Sequence, residues 1–515
     1  RGIIFFKERD CNLISGATLK SGFFFAMNPE KITVPEATYT ALATIIPLEH
    51  DSFITRATRE GDPYEEIARR LNEEEAKKIE ALGLEGIDIY REKWRFYPGG
   101  SLAAQALGFV AYDEDTLSGR YGLERQYEDV LSRQGSGLYL NFFAEVFSNL
   151  RENLFQDVFK REGDIIITID PQIQGELEKE LHKVSEQYLP SLTGGIIMDP
   201  NDGRIFALGL SPTFDVNKFQ EEKSQKVFSN PLVESVYEMG SIIKPLMMAA
   251  GLDSGVITAK TTYQDNGSVV LSNYTIYNFD KKGRGRVDMQ EVLNNSLNTG
   301  MVFVSQKLGH DRVRDYFLNY GFGEKSGVDL PNETNGLITN LFVDRDLEYA
   351  NASFGQGIAV NPIVAIRALA SLGNGGYLVS PHIVSEIDLK GGLKEKIEYP
   401  ISEAVIQKET SEEITRMLVN VVDKALLGGT VKMEHYSIAA KTGTAQLARP
   451  DGKGYYDDRY LHSFFGYFPA YDPQFIILLF TVDPKGERYA SQTLTHPFID
   501  LARFLISYYE VPPDR

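Results

Sequence analysis

Apolar positions along this chain change period several times, and the changes divide it into elements. Residues 3–6 and 22–26 are short β-like runs around a polar turn. Asn72 followed by Glu75 has the spacing of a capping box, and Ala76, Ile79 and Leu82 then share one helical face. The opposite face, with Glu74, Lys77 and Lys78, is that of a solvated helix. The pattern shifts near residues 160–163. Residues 165–169 predict a buried strand. Asp170 is placed to cap a helix with Ile173, Leu177 and Leu181 at i, i+4 and i+8. Residues 195–198 and 204–210 predict two strands joined by a turn with Pro200 and Gly203 where turns want them. Residues 437–440, 463–468 and 475–482 predict a second strand group, and residues 497–509 an amphipathic helix. Strands at both ends of a long helical stretch predict one sheet assembled from both ends, with helices packed on it: an α+β domain.

A length of 515 residues is too great for one ordinary core. The shift near residue 160 gives a division into 1–162 and 163–515. The charge of −19 repels nucleic acid, and no basic stripe offsets it, so its plain reading is solubility. Cys11 is the only cysteine, so no intrachain disulfide forms, and the seven scattered His show no metal-ligand spacing. No apolar run reaches the roughly 18 residues that span a bilayer. The chain opens on Arg1 and Gly2 without a Met, which leads us to expect a preceding segment.

Three short elements carry chemistry. In Ser241-x-x-Lys244, residues three apart on a helix share a face, so hydroxyl and amine can meet. A serine needs a base, and a lysine serves once its pKa falls from about 10.4 towards 7–8. A second cation nearby is the most direct source of that fall. Ser296-x-Asn298 offers a hydroxyl that relays protons and a carboxamide that donates and accepts. Lys441, Thr442, Gly443 and Thr444 follow the apolar run 437–440. They offer the second cation, two hydroxyls for a carboxylate, and a glycine where a substrate backbone could approach an edge strand. Each element alone is commonplace: a helix with a solvated lysine, a polar cap, a strand ending in a glycine turn. All three stand in order, 55 and then 145 residues apart (241 to 296, 296 to 441).

That set resembles the motifs of penicillin-binding proteins and β-lactamases. The resemblance covers nearly the whole chain and is closest to class B penicillin-binding proteins. Tyr237 to Pro245 is similar to the nucleophile segment, with Met239 where many members have Pro. Ser353 to Ile358, followed by Asn361 and Pro362, is similar to the family's glycine segment. Residues 97–103, 107–110 and 122–127 resemble the non-catalytic domain of class B members. Near the start the family has an Asp-Arg-Asn-Gly-like turn. Here Cys11 stands about where Gly is expected, a residue that does not readily adopt φ > 0.

The resemblance implies a transpeptidase fold of antiparallel sheet and helices, preceded by an elongated, mainly β pedestal. It implies Ser241 as nucleophile, Lys244 as base, and Ser296 and Asn298 as proton relay and amide holder. Lys441, Thr442, Gly443 and Thr444 would form the carboxylate site. The substrates implied are peptidoglycan stem peptides ending in D-Ala-D-Ala, with β-lactams as mimics and no metal or organic cofactor. The setting implied is the outer face of a bacterial cytoplasmic membrane, with an N-terminal anchor, a polytopic glycosyltransferase partner, and divisome or elongasome proteins nearby. Ser-x-Asn resembles division-type members more than elongation-type ones. A D,D-carboxypeptidase, or a β-lactam-binding scaffold acting on the glycosyltransferase by contact, remains the alternative.

Overall fold

The structure, a computed structural model, describes residues 1–113, 116–132, 162–271, 273–450, 452 and 454–515. It divides into two compact units: Ala17–Pro98 together with Arg1, and Gly2–Gly16 with Gly99–Arg515.

In the first unit, the part of strand Leu13–Met27 beyond Gly16 pairs antiparallel with Ile87–Phe96 and with Glu65–Leu71. Phe25, Met27, Leu42, Phe53, Leu71 and Ile79 form its core, so strand faces and helices Pro35–Ala43, His50–Ala57 and Glu73–Ala81 close on one another. The capping box forms as the sequence predicts: Asn72 Oδ1 accepts from Glu75 N at 2.9 Å, and Glu75 Oε2 accepts from Asn72 N at 2.8 Å.

The second unit is built on a five-stranded antiparallel sheet. Its order is Ala439–Ala448, Tyr455–Phe468, Phe475–Val482, Leu192–Met198, Ile205–Ser211. Strands from both ends of the segment share it, as the pattern predicts. Helices Pro171–Tyr188 and Thr495–Tyr509 cover one face through Ile173, Leu177, Leu181, Phe498, Leu501 and Leu505. Asp170 caps the first of these, its Oδ1 accepting from Gln172 N at 2.8 Å. Helices Lys244–Asp253 and Pro362–Ala370 are buried almost throughout.

The compact units do not part where the sequence pattern shifts. Residues after Gly99 pack with the second unit: Ala103 N donates to Glu178 Oε1 at 2.8 Å, and Tyr127 OH to Asp329 Oδ2 at 3.1 Å. The pattern follows hydrophobic period and cannot register such remote contacts. The expected boundary at residues 160–163 lies partly outside the described residues. The turn at Cys11 keeps φ at +67°, so Cys occupies the left-handed conformation that suits glycine. Among the described residues no helix is long and apolar enough to cross a membrane.

Candidate active site

Ser241 lies in a 3-10 turn, Gly240–Ile243, that runs directly into helix Lys244–Asp253. The chain enters the turn through Gly240 at φ +62°, and the Gly240 carbonyl packs so closely on Gly355 that a Cβ there would collide with it. Tyr237 and Val360 exchange backbone bonds of 2.9 and 3.0 Å, and Gly240 N donates to Gly355 O at 3.1 Å. The glycine segment therefore clamps the approach to Ser241.

Lys244 is fully buried. Its Nζ donates to the Ser296 carbonyl at 2.6 Å, to Asn298 Oδ1 at 2.7 Å and to Ser296 Oγ at 3.2 Å. Ser296 sits at φ +51°, a left-handed conformation uncommon outside glycine, and Asn298 opens helix Asn298–Leu308. Lys441 Nζ donates to Ser296 Oγ and to Thr442 O, both at 3.0 Å. Ser296 Oγ thus stands between two amines. Among the described residues neither amine has a carboxylate partner.

Burial pushes the Lys244 amine well below the usual lysine range, and the neighbouring Lys441 charge adds to that. Burial also brings Lys441 down to about 7. Burial outweighs the second cation that the sequence suggests, because both amines are removed from water and, among the described residues, no anion bonds to either. Ser241 Oγ makes no hydrogen bond among the described residues. A neutral Lys244 can give its two protons to the nearer acceptors, the Ser296 carbonyl and Asn298 Oδ1, and keep a lone pair, which is what a base one helical turn from Ser241 requires.

Lys441 to Thr444 lie within the edge strand Ala439–Ala448, not after it. Strand alternation places Thr442 and Thr444, half-buried, along a cleft of about 830 Å³ that Ser241, Ser296, Asn298 and Lys441 also line. Thr444 Oγ1 accepts from Ala490 N at 3.1 Å, so its own proton is left to donate. Gly443 differs from expectation. A Cβ there would lie 2.7 Å from Met239 O and 3.0 Å from Ile242 N. Its missing side chain makes room for the turn that carries Ser241, and Gly443 is not among the cleft residues.

The Penicillin binding protein transpeptidase domain model matches residues 193–500, and the Penicillin-binding Protein dimerisation domain model matches residues 13–137. The chain belongs to the penicillin-binding protein transpeptidase family. Stage V sporulation protein D of Bacillus subtilis is 30% identical, over 95% of this chain and 76% of the relative. The probable peptidoglycan D,D-transpeptidase FtsI of Caulobacter vibrioides is 27% identical, over 89% and 72%. Among solved structures, penicillin binding protein 3 of Mycobacterium tuberculosis complexed with aztreonam superposes with a TM-score of 0.72 at 25% identity. It covers 82% of this chain and 92% of that one. Penicillin binding protein 2X of Streptococcus thermophilus, at 19% identity and a TM-score of 0.77, shares the fold.

For a penicillin-binding protein, the motif residues converge as one site: Ser241, Lys244, Ser296, Asn298, Lys441, Thr442 and Thr444. What the sequence reading missed is the roof of the cleft. Tyr277, Phe279, Arg488 and Tyr489 line it. Phe279 and Tyr489 meet edge to face, with ring centroids 5.8 Å apart. These residues come from short hairpins and loops with no fixed spacing, so no local signal marks them. In the sequence Ser463 carries only the signal of a strand residue. Its Oγ donates to Met239 O at 2.7 Å and pins the turn that carries Ser241.

Proposed function

We propose that this chain is a serine D,D-transpeptidase that cross-links peptidoglycan through an acyl-enzyme on Ser241. Neutral Lys244 takes the Ser241 proton as Oγ attacks the carbonyl of the penultimate D-alanine. Backbone N–H groups of Ser241 and Thr444 receive the oxyanion, each worth about 3–4 kcal/mol in sites of this kind. The C–N bond breaks, and the departing D-alanine amine takes a proton relayed through Ser296. An amine of a second stem peptide then attacks the ester, giving up a proton by the same relay and restoring Ser241. Lys441, Thr442 and Thr444 hold the terminal carboxylate, and Asn298 holds the peptide amide. The reading needs no metal or organic cofactor, and β-lactams would acylate Ser241 as mimics.

The observation that carries this reading is the buried Lys244, without a carboxylate partner among the described residues, one turn from Ser241 and bonded to Ser296 and Asn298. The test is a donor peptide ending in D-Ala-D-Ala, incubated with and without an acceptor amine. Cross-linked product that disappears in Ser241→Ala supports the proposal. Release of D-alanine with hydrolysis alone, at any acceptor concentration, would show a carboxypeptidase instead.

The names of the relatives place them in cell-wall synthesis, and we extend an envelope location to this chain. A membrane anchor, a polytopic glycosyltransferase partner and a division role are parts of the same proposal. So is the assignment of residues 1–162 to positioning or partner contact, with 163–515 catalytic. Co-purification of the full-length protein with a membrane glycosyltransferase tests the partner.

A further inference from the structure

Two small two-stranded sheets precede Ser296 in the chain, and Thr275, Ile276 and Tyr277 of one of them line the cleft. Thr262–Asp265 pairs with Gly285–Asp288, and Ser268–Leu271 pairs with Tyr274–Tyr277. Between them Asp265 is 1% exposed. Its Oδ1 accepts from Gly267 N at 3.0 Å, Asn278 Nδ2 at 2.9 Å and Thr299 Oγ1 at 2.8 Å. Its Oδ2 accepts from Arg284 N at 2.9 Å. Arg284 gives Asp265 only its backbone N–H, because its guanidinium is paired with Asp280 at 2.8 Å. The Asp265 carboxylate is satisfied by hydrogen bonds, and those bonds reach towards the active site.

Asn278, itself 1% exposed, accepts from Thr299 N at 3.2 Å through Oδ1. The preceding residue, Tyr277, uses its carbonyl to accept from Asn298 Nδ2 at 2.9 Å. That bond fixes which end of the Asn298 carboxamide faces inward: Nδ2 goes to Tyr277, so Oδ1 goes to Lys244 Nζ at 2.7 Å. A flipped amide would aim N–H groups at the amine and occupy the lone pair that Ser241 needs.

We infer that Asp265 is a positioning residue for the acyl transfer, acting through Asn278, Thr299 and the Tyr277 carbonyl to hold Asn298 Oδ1 on Lys244. This rests on the acyl-enzyme reading above. Asp265→Asn keeps the shape but replaces one of the two acceptor oxygens with an NH2 donor, which then faces the N–H groups of Arg284 and Asn278. Asn298 then loses its fixed orientation, and donors facing Lys244 favour the neutral amine. The acylation rate at the pH optimum should fall by up to about 10²-fold, the scale of a misplaced group remote from the chemistry. The midpoint of the acid limb should move to lower pH. The titratable group facing Lys244 is Lys441, on the edge strand; around Asp265 the titratable neighbours are Tyr263, whose hydroxyl meets Thr299 Oγ1 at 3.1 Å, and Arg284. Both groups stay unchanged in the variant.

The experiment measures the rate of fluorescent-penicillin acylation against pH, per folded enzyme from a thermal melt, for wild type, Asp265→Asn and Thr299→Val. Thr299→Val keeps the carboxylate and deletes one link, so it should shift the midpoint the same way by less, and it decides the matter if Asp265→Asn does not fold. A rate within about twofold of wild type, or a loss with an unmoved midpoint, would overturn the inference while leaving the acyl-enzyme reading intact. An unlabelled wild type would overturn that reading and this inference with it.

Discussion

Lys441 meets opposing demands. It is 3% exposed, and burial brings it down to about 7, yet a carboxylate site needs it charged. Its folded pKa lies below the unfolded value of about 10.4, so the unfolded chain binds more protons between the two, and stability rises with pH across that window. Below about 7 the penalty is full. Lys441→Met should therefore raise Tm by several degrees at pH 6, with the gain fading towards pH ~10.4, while acylation falls. Thermal melts at three pH values check this; a Tm difference independent of pH contradicts it. In the wild-type enzyme, kcat/KM for acylation should be bell-shaped. The rising limb belongs to Lys244, held well below the usual range, and the falling limb lies at about 7 from Lys441. A profile flat from pH 6 to ~9 would remove Lys441 from the carboxylate site.

Single elements show where sequence reading succeeds and where it stops. The capping box at Asn72 and the cap at Asp170 are local, closed within three residues, and so were legible. Asn72→Ala should lower stability by about 1 kcal/mol, read from a denaturant melt. The Cys11 turn was legible as a departure, and the structure adds that its φ stays positive. Cys11→Gly should stabilise by about 1 kcal/mol, and a neutral or destabilising result would mean that the turn relaxes in solution. Gly443 was legible as part of a motif, but its packing was not, because Met239 and Ile242 reach it from about 200 residues away in sequence. Gly443→Ala should displace the nucleophile turn and slow acylation at least about tenfold with KM little changed. A rise in KM alone would restore the substrate-contact reading. The Asp265 network was not legible at all: its members lie on three short elements with no shared period.

At the scale of the molecule, the strand groups at both ends of residues 163–515 were enough to foresee one shared sheet, and the family resemblance that it is antiparallel. The motif order was enough to foresee the family, because three remote segments must meet for the chemistry to work. The unit boundary at Pro98 was not foreseeable, since it depends on contacts such as Ala103 with Glu178. The first unit has a core of its own around Phe53. Phe53→Ala, which should cost roughly 3–5 kcal/mol in that unit, is expected to impair cross-linking in cells while purified protein still acylates at Ser241. Equal loss of both would contradict separate roles. If Ser241 forms the covalent intermediate, peptide mapping of a penicillin adduct will locate the label on it. One adduct is expected, on the peptide containing Ser241, absent from a folded Ser241→Ala variant. An adduct that persists in that variant on another serine would contradict it.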